Sequence, residues 1–304
     1  MKLAQQLKGL LIALLATITF SNVYIFSKLA MRDVNLASFG ILWFACAVLW
    51  NIIYNLYYKK RHHFKNLSPS AKRTLLFIAA SELIATSAFF IAIQLTPNPT
   101  IVSFLANTSP VFVIIISIIF LKERFTLLEF LGISLTILGV ILINYTDTGF
   151  RIELLTQPES IATFIFALFY GISLILARSE IRTLPSTLIT LYRNFALLGG
   201  FLLYNIYLFE IPQYTNLSIL YISIGSLLGP FLGTILTYIS LNYIEASKLT
   251  IVLSNRSFFI IIGSFFVMNM LPTQNQFIGG LTTILGTLVI SWATIKKKKL
   301  KINH

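Results

Sequence analysis

Three ionisable side chains interrupt long apolar runs in this chain: Glu82, Arg193 and Arg256. A charge at the centre of a membrane-spanning helix costs roughly 2.5 to 3.5 kcal/mol on insertion scales, so each of the three needs compensation. Two positive groups and one negative group suit a particular division of labour. Glu82 neutralises one arginine, and the other is left to grip a carboxylate or phosphate through its planar fork of N–H donors. The competing structural reading is a fixed ion pair, with the second arginine snorkelling to the interface. Asn22, Tyr24, Asn107, Tyr170, Tyr192, Tyr238 and Asn255 also lie in the apolar runs and complete the candidate substrate-binding set. Each is weak alone, because an intramembrane Asn is as often glue between helices and a Tyr is frequently an interface anchor.

The elements that position these groups follow from composition. Of 304 residues, 57% are hydrophobic and only 11% charged, which leaves too little polar surface for a soluble globule of this size. Ten apolar runs are long enough for an α-helix to cross about 30 Å of hydrocarbon. They cover 7–27, 36–57, 74–95, 99–121, 127–145, 158–178, 187–208, 218–241, 249–270 and 275–295. Glu82, Arg193 and Arg256 each fall about two turns past a helix start, roughly 10 to 12 Å in from one membrane edge, so they can meet.

The net charge of +13 is not a nucleic-acid footprint, because its placement follows the membrane. With a cytoplasmic amino terminus, eighteen of the twenty-three Lys and Arg residues face inward, including Lys59, Lys60, Arg61, Lys65, Lys122, Arg124 and Lys296 to Lys299. Lys28, Arg32 and Arg151 face outward. This predicts a multi-pass membrane protein with both termini cytoplasmic. No small-x-small cleavage site follows the first apolar run, which reads as a retained helix. Cys46 is the lone cysteine, and His62, His63 and His304 lie in a loop or the tail, so no metal site and no cofactor are expected.

The chain repeats itself. Thr-Ile-Leu-Gly stands at 136–139 and again at 283–286, and Asn107 aligns with Asn255, Leu105 with Leu253 and Ser109 with Ser257. Gly132 and Gly139 recur as Gly279 and Gly286, a seven-residue spacing that puts both glycines of each pair on one helix face for close packing. Five spans per half is an odd number, so the second half enters from the opposite side and the repeat is inverted. The expected fold is all-α membrane, ten transmembrane helices as two inverted five-helix repeats, 1–146 and 155–295, with a basic cytoplasmic tail at 296–304. Pseudo-symmetry would place Asn107 and Asn255 on opposite walls of one cavity, while Pro110 and the Gly225, Gly229, Pro230, Gly233 group suit bending as well as close packing.

Residues 89–143 carry a resemblance: Phe89, Ala92, Ala106 to Pro110, Leu121, Glu123, Arg124, Thr126, Gly132 and Gly139. With Ser21, Asn22, Lys28 and Ala47 in the opening helices, the whole chain resembles EamA-type transporters of the drug/metabolite transporter superfamily, ten-helix branch. It departs at Thr19 and Phe20, where that family often has Trp-Gly, and at Trp43, where it often has arginine. Phe258 stands against Pro110, and Leu271 with Pro272 against Glu123 with Arg124. The resemblance implies a bacterial-type secondary carrier of the cell inner (plasma) membrane, usually an exporter of amino acids or other small metabolites.

The leading expectation is therefore export of a small, carboxylate-bearing metabolite by alternating access. The alternative is proton-coupled efflux of lipophilic cations through Glu82. No clustered carboxylates or nucleophile–base pair lies at membrane depth, so an enzyme is not expected. The expected partners are a small-molecule substrate and the lipid bilayer, with no nucleic acid. Proton or ion coupling, and monomer against homodimer, stay open.

Overall fold

The computed structural model describes residues 2–58, 67–96, 99–121, 125–143, 145–146, 149–150, 156–181, 184–269 and 273–302. The basic cluster at 59–65, both loop histidines, Lys122 to Arg124, Arg151, Arg182, Leu271, Pro272 and His304 lie outside them.

Among the described residues, eight helices or helix pairs are long and apolar enough to cross a membrane, and two shorter apolar helices, Leu127–Gly139 and Phe277–Gly286, complete the ten-helix arrangement. The first half contains α1 (Lys2–Ala30), α2 (Leu36–Tyr57), α3 (Pro69–Leu95), a fourth span made of α4 (Pro99–Leu105) and α5 (Ser109–Leu121), and α6 (Leu127–Ile143). The second half contains α7 (Pro158–Glu180), α8 (Ser186–Leu208), an eighth span of α9 (Asn216–Ser226) and α10 (Thr234–Leu241), a ninth of α11 (Ala246–Ser254) and α12 (Arg256–Met268), and α13 (Gln274–Ile302). Between the halves, β1 (Tyr145–Thr146) and β2 (Gly149–Phe150) form a two-residue antiparallel pair.

Local chemistry sets the ends. Asn35 accepts the Ser38 amide before α2, Ser68 accepts the Ala71 amide ahead of Pro69 in α3, and Thr215 with Ser218 forms a reciprocal box at α9. These caps explain why α3 begins five residues before its apolar run: Ser68 and Pro69 are a start signal stronger than hydropathy. Glu82 consequently lies about 20 Å along its helix and Arg256 about 15 Å along its span. At the other end, α13 runs on to Ile302, through the segment expected to be a tail. Lysines are good helix formers and are favoured at a helix carboxyl end.

Helix pairing shows the inversion directly. The third span, α3, packs on α7, and its repeat counterpart, α9 with α10, packs on α1; α2 packs on α8, α6 on α13, and α4 and α5 on α12 and α11. Each contact between halves is thus answered by the contact that exchanges them. A cation repeats the pattern. Lys28 at the end of α1 donates to the Ile93 and Gln94 carbonyls at 3.0 and 3.2 Å, and to Thr96, at the end of α3. Arg178, 150 residues on, donates to the Leu241 carbonyl at the end of α10. Both satisfy carbonyls that a helix end leaves unpaired.

Leucines and phenylalanines such as Leu11, Leu49, Phe77, Phe120, Leu203 and Phe266 cover the outside and meet lipid. Inside lipid there is little hydrophobic drive between helices, so packing depends on close approach. At the α6–α13 seam a Cβ on Gly286 would lie 2.5 Å from Thr136 Oγ1, 2.6 Å from the Gly132 carbonyl and 2.7 Å from the Thr136 nitrogen. Two of these three atoms are backbone and cannot step aside. Gly286→Val is expected to lower the unfolding temperature in detergent, with a cost of about 1 to 3 kcal/mol for overpacking. Gly199→Ala, where nothing lies within 4 Å, should not, and a thermal-shift comparison of the two checks the seam.

Candidate functional site

Three spans break where regular helix cannot continue, and the breaks of the eighth and ninth spans place Pro230 and Arg256 on the wall of one cavity. The fourth span passes through a 3₁₀ turn at Ala106–Thr108 before Pro110, and the ninth breaks at Asn255. The eighth contains a π-helical segment, Leu227–Gly233, around Pro230, whose ring removes an N–H from the ladder. A Cβ on Gly229 would lie 2.2 Å from Val23, so this segment sits hard against α1.

The cavity is lined by α1, α2, α3, α7, α8, the π segment, α10 and Arg256. Its volume, about 60 Å³, is several times the roughly 10 to 15 Å³ that one water needs on the same measure. Of the sequence candidates, Tyr24, Glu82, Tyr170, Arg193, Tyr238 and Arg256 line it, and Asn22, Asn107, Tyr192 and Asn255 do not. Asn22 turns back to the Ile18 carbonyl of its own helix at 2.9 Å. Asn107 donates to Ser257 at 3.0 Å, tying the fourth span to the ninth at their two breaks. Asn255 donates to Val252 at 3.1 Å and caps α11. The two repeat-related asparagines thus brace the breaks rather than face each other across the cavity.

The wall itself follows the repeat. Phe20 and Tyr170, Tyr24 and Leu174, and Trp43 and Arg193 stand 150 residues apart, while Glu82 and Pro230, Thr86 and Thr234, and Phe90 and Tyr238 stand 148 apart. All twelve line the cavity. Trp43 is therefore the counterpart of Arg193, and at this pair of positions the cation is supplied by the second half alone.

Glu82 is fully engaged. Its Oε2 receives Arg193 Nε at 2.7 Å and its Oε1 receives the Ser173 hydroxyl at 2.7 Å. Arg193 also donates to Thr86 Oγ1 at 3.3 Å and to Asn194 Oδ1 at 3.0 Å. Asn194 in turn donates to the Pro230 carbonyl at 3.0 Å, which joins the ion pair to the π segment. Burying such a pair is tolerable only because its remaining donors and acceptors are met in this way.

Arg256 is different. It is 4% exposed, its Nε has no hydrogen-bond partner, and its guanidinium lies 5.9 Å over the Tyr24 ring. Among the described residues no carboxylate pairs with it. Ser21 holds its backbone by donating to the Arg256 carbonyl at 3.3 Å. Tyr24 Oη, Thr234 Oγ1 and Thr237 Oγ1, all on the cavity wall, are likewise buried and unpartnered. Buried polar groups are nearly always paired in folded proteins, and these four leave hydrogen-bonding capacity around one space that water or a polar ligand can meet. Most of the remaining wall is aromatic: Phe89 packs edge-on to Tyr24 with centroids 4.8 Å apart, and Phe166 stacks on Tyr170 at 5.4 Å.

Sequence reading missed Thr86, Thr234, Thr237 and the phenylalanines. A span threonine usually bonds its own helix, as Thr17 does to Ala13 at 2.8 Å. Only the missing bond identifies Thr234 and Thr237.

Comparison with known proteins agrees with this architecture. A crystal structure of a protein 16% identical superposes with a TM-score of 0.76, over 93% of this chain and 98% of its own, which shows a shared fold. No curated protein matches. The family model of EamA-like transporters matches residues 7–145 and 158–292, one match for each half. The chain therefore belongs to the EamA-like transporter family and is a multi-pass membrane transporter.

Proposed function

We propose that this transporter moves a small carboxylate-bearing metabolite with an apolar side chain, such as an amino acid, by alternating access, and that Arg256 binds the carboxylate. The observation that carries this reading is Arg256 itself, buried on the inter-repeat cavity wall with no acid beside it. With Glu82 and Arg193 cancelling, the cavity keeps one net positive charge among the described residues. An anionic or zwitterionic group entering it replaces lost hydration with the guanidinium fork, the Tyr24 hydroxyl and the two threonine hydroxyls. The aromatic wall receives the apolar remainder.

The charge of the wall weighs against lipophilic cations. A cation would meet the unpaired Arg256, and both Glu82 oxygens already hold donors. The described cations Lys8, Lys72, Arg73, Arg178 and Lys248 lie at the face of the chain ends, with Lys28 and Arg32 at the other. This supports an inner-membrane protein with cytoplasmic ends. Export is the direction proposed.

Solute counterflow in proteoliposomes tests the reading, with apolar amino acids in one arm and cationic dyes in the other. Amino-acid counterflow without dye movement is expected, and dye movement alone overturns it. Tyr24→Phe, which removes only the hydroxyl, should weaken half-saturation about five- to tenfold, the equivalent of about 1 kcal/mol for one hydrogen bond.

A further inference from the structure

One pair of buried amides plays no part in the cavity. On α2, both the nitrogen and the oxygen of Asn51 and of Asn55 are buried without a hydrogen-bond partner, and Asn51 is 0% exposed. Interhelical glue would show a partner across the seam. Neither amide has one. Four such atoms on two amides one helical turn apart, in a bundle where Asn22, Asn194 and Asn255 each donate to a carbonyl, call for water or a passing polar group.

Their position gives the route. Phe44 lines the cavity, and Asn51 and Asn55 follow it by seven and eleven residues, along one stripe of α2. That stripe runs from the cavity toward the helix end at the face bearing both chain ends. The repeat counterpart of Asn55, 150 residues on, is Asn205 near the opposite face, and its amide nitrogen is engaged although its Oδ1 is not. Asn205 donates to the Glu210 carbonyl at 2.9 Å, Asn35 donates to the Glu210 carboxylate, and Tyr214 donates to the Ser38 carbonyl at 3.0 Å. One face of the α2–α8 seam is laced and the related amide at the other is free, the asymmetry that an alternating-access bundle needs.

We infer that Asn51 and Asn55 form a second polar station, a hydrated stretch of the cargo route between the cavity and the face of the chain ends. There the carboxylate or ammonium head of the cargo trades water for amide contacts. The chemistry of the head rests on the proposed function above; the hydrated route does not.

The test places single cysteines at Asn51, Asn55 and the lipid-facing Leu49 in a Cys46→Ser background of the full-length protein in membrane vesicles. A hydrophilic methanethiosulfonate is the probe, since a thiol reacts with it only where water allows thiolate to form. Asn51→Cys and Asn55→Cys should react at least tenfold faster than Leu49→Cys, and equal rates at all three positions would overturn the station. Each position is read separately on protein that elutes as wild type, so one poorly folding variant does not decide the outcome. Adding Arg256→Gln should leave the labelling rates unchanged. A failure of carboxylate binding is thereby separated from a failure of the route.

Discussion

Glu82→Gln is expected to lower the stability of the transporter by about 3 to 5 kcal/mol, the cost of leaving a buried charge without its partner. Arg193 would keep its bonds to Thr86 and Asn194 but lose the carboxylate 2.7 Å from its Nε. The disturbance should pass through Asn194 to the Pro230 carbonyl, so the π segment would loosen too. Glu82→Gln with Arg193→Met removes both charges and should recover more than half of the loss, because a buried ion pair is often replaceable by apolar packing. Thermal unfolding of the two variants in detergent reads the difference. A proton-exchange role for Glu82 predicts another pattern: wild-type stability in Glu82→Gln, with cation efflux abolished.

The second large effect falls on Arg256. Replacing it by Gln should weaken cargo binding about 100-fold, from about 3 kcal/mol for a desolvated charge-assisted contact. Stability should change little or rise, since Arg256 has no acidic partner to strand. Arg256→Lys keeps the charge but loses the fork and should fall between the two. Arg193→Lys acts instead on stability, because its role is to satisfy Glu82. If Arg256→Lys transports like wild type, bidentate grip is not how the cavity holds its cargo.

The charged residues were legible in the sequence because apolar context makes any charge conspicuous. Which arginine pairs with Glu82 was not, since that depends on how the helices pack: α8 lies against α3 and brings Arg193 to Glu82, while Arg256 sits over the Tyr24 ring. The repeat was visible where function did not intervene, at the glycines of α6 and α13 and at Asn107 and Asn255. It was hidden on the cavity wall, where Tyr24 faces Leu174 and Trp43 faces Arg193 in the register of 150. There each half has taken a different chemical task, so position persists while residue type does not. The asparagines misled for a related reason: their symmetry was real, but it belongs to the helix breaks they brace.

The most direct measurement is counterflow of apolar amino acids beside their carboxamides, through wild type and Arg256→Gln. Wild type should move at least one acid and discriminate against its amide, and Arg256→Gln should lose that preference about 100-fold, the equivalent of about 3 kcal/mol. An amide carried as well as its acid, or an acid carried at the wild-type rate by Arg256→Gln, would contradict the assignment of Arg256 as the carboxylate's partner.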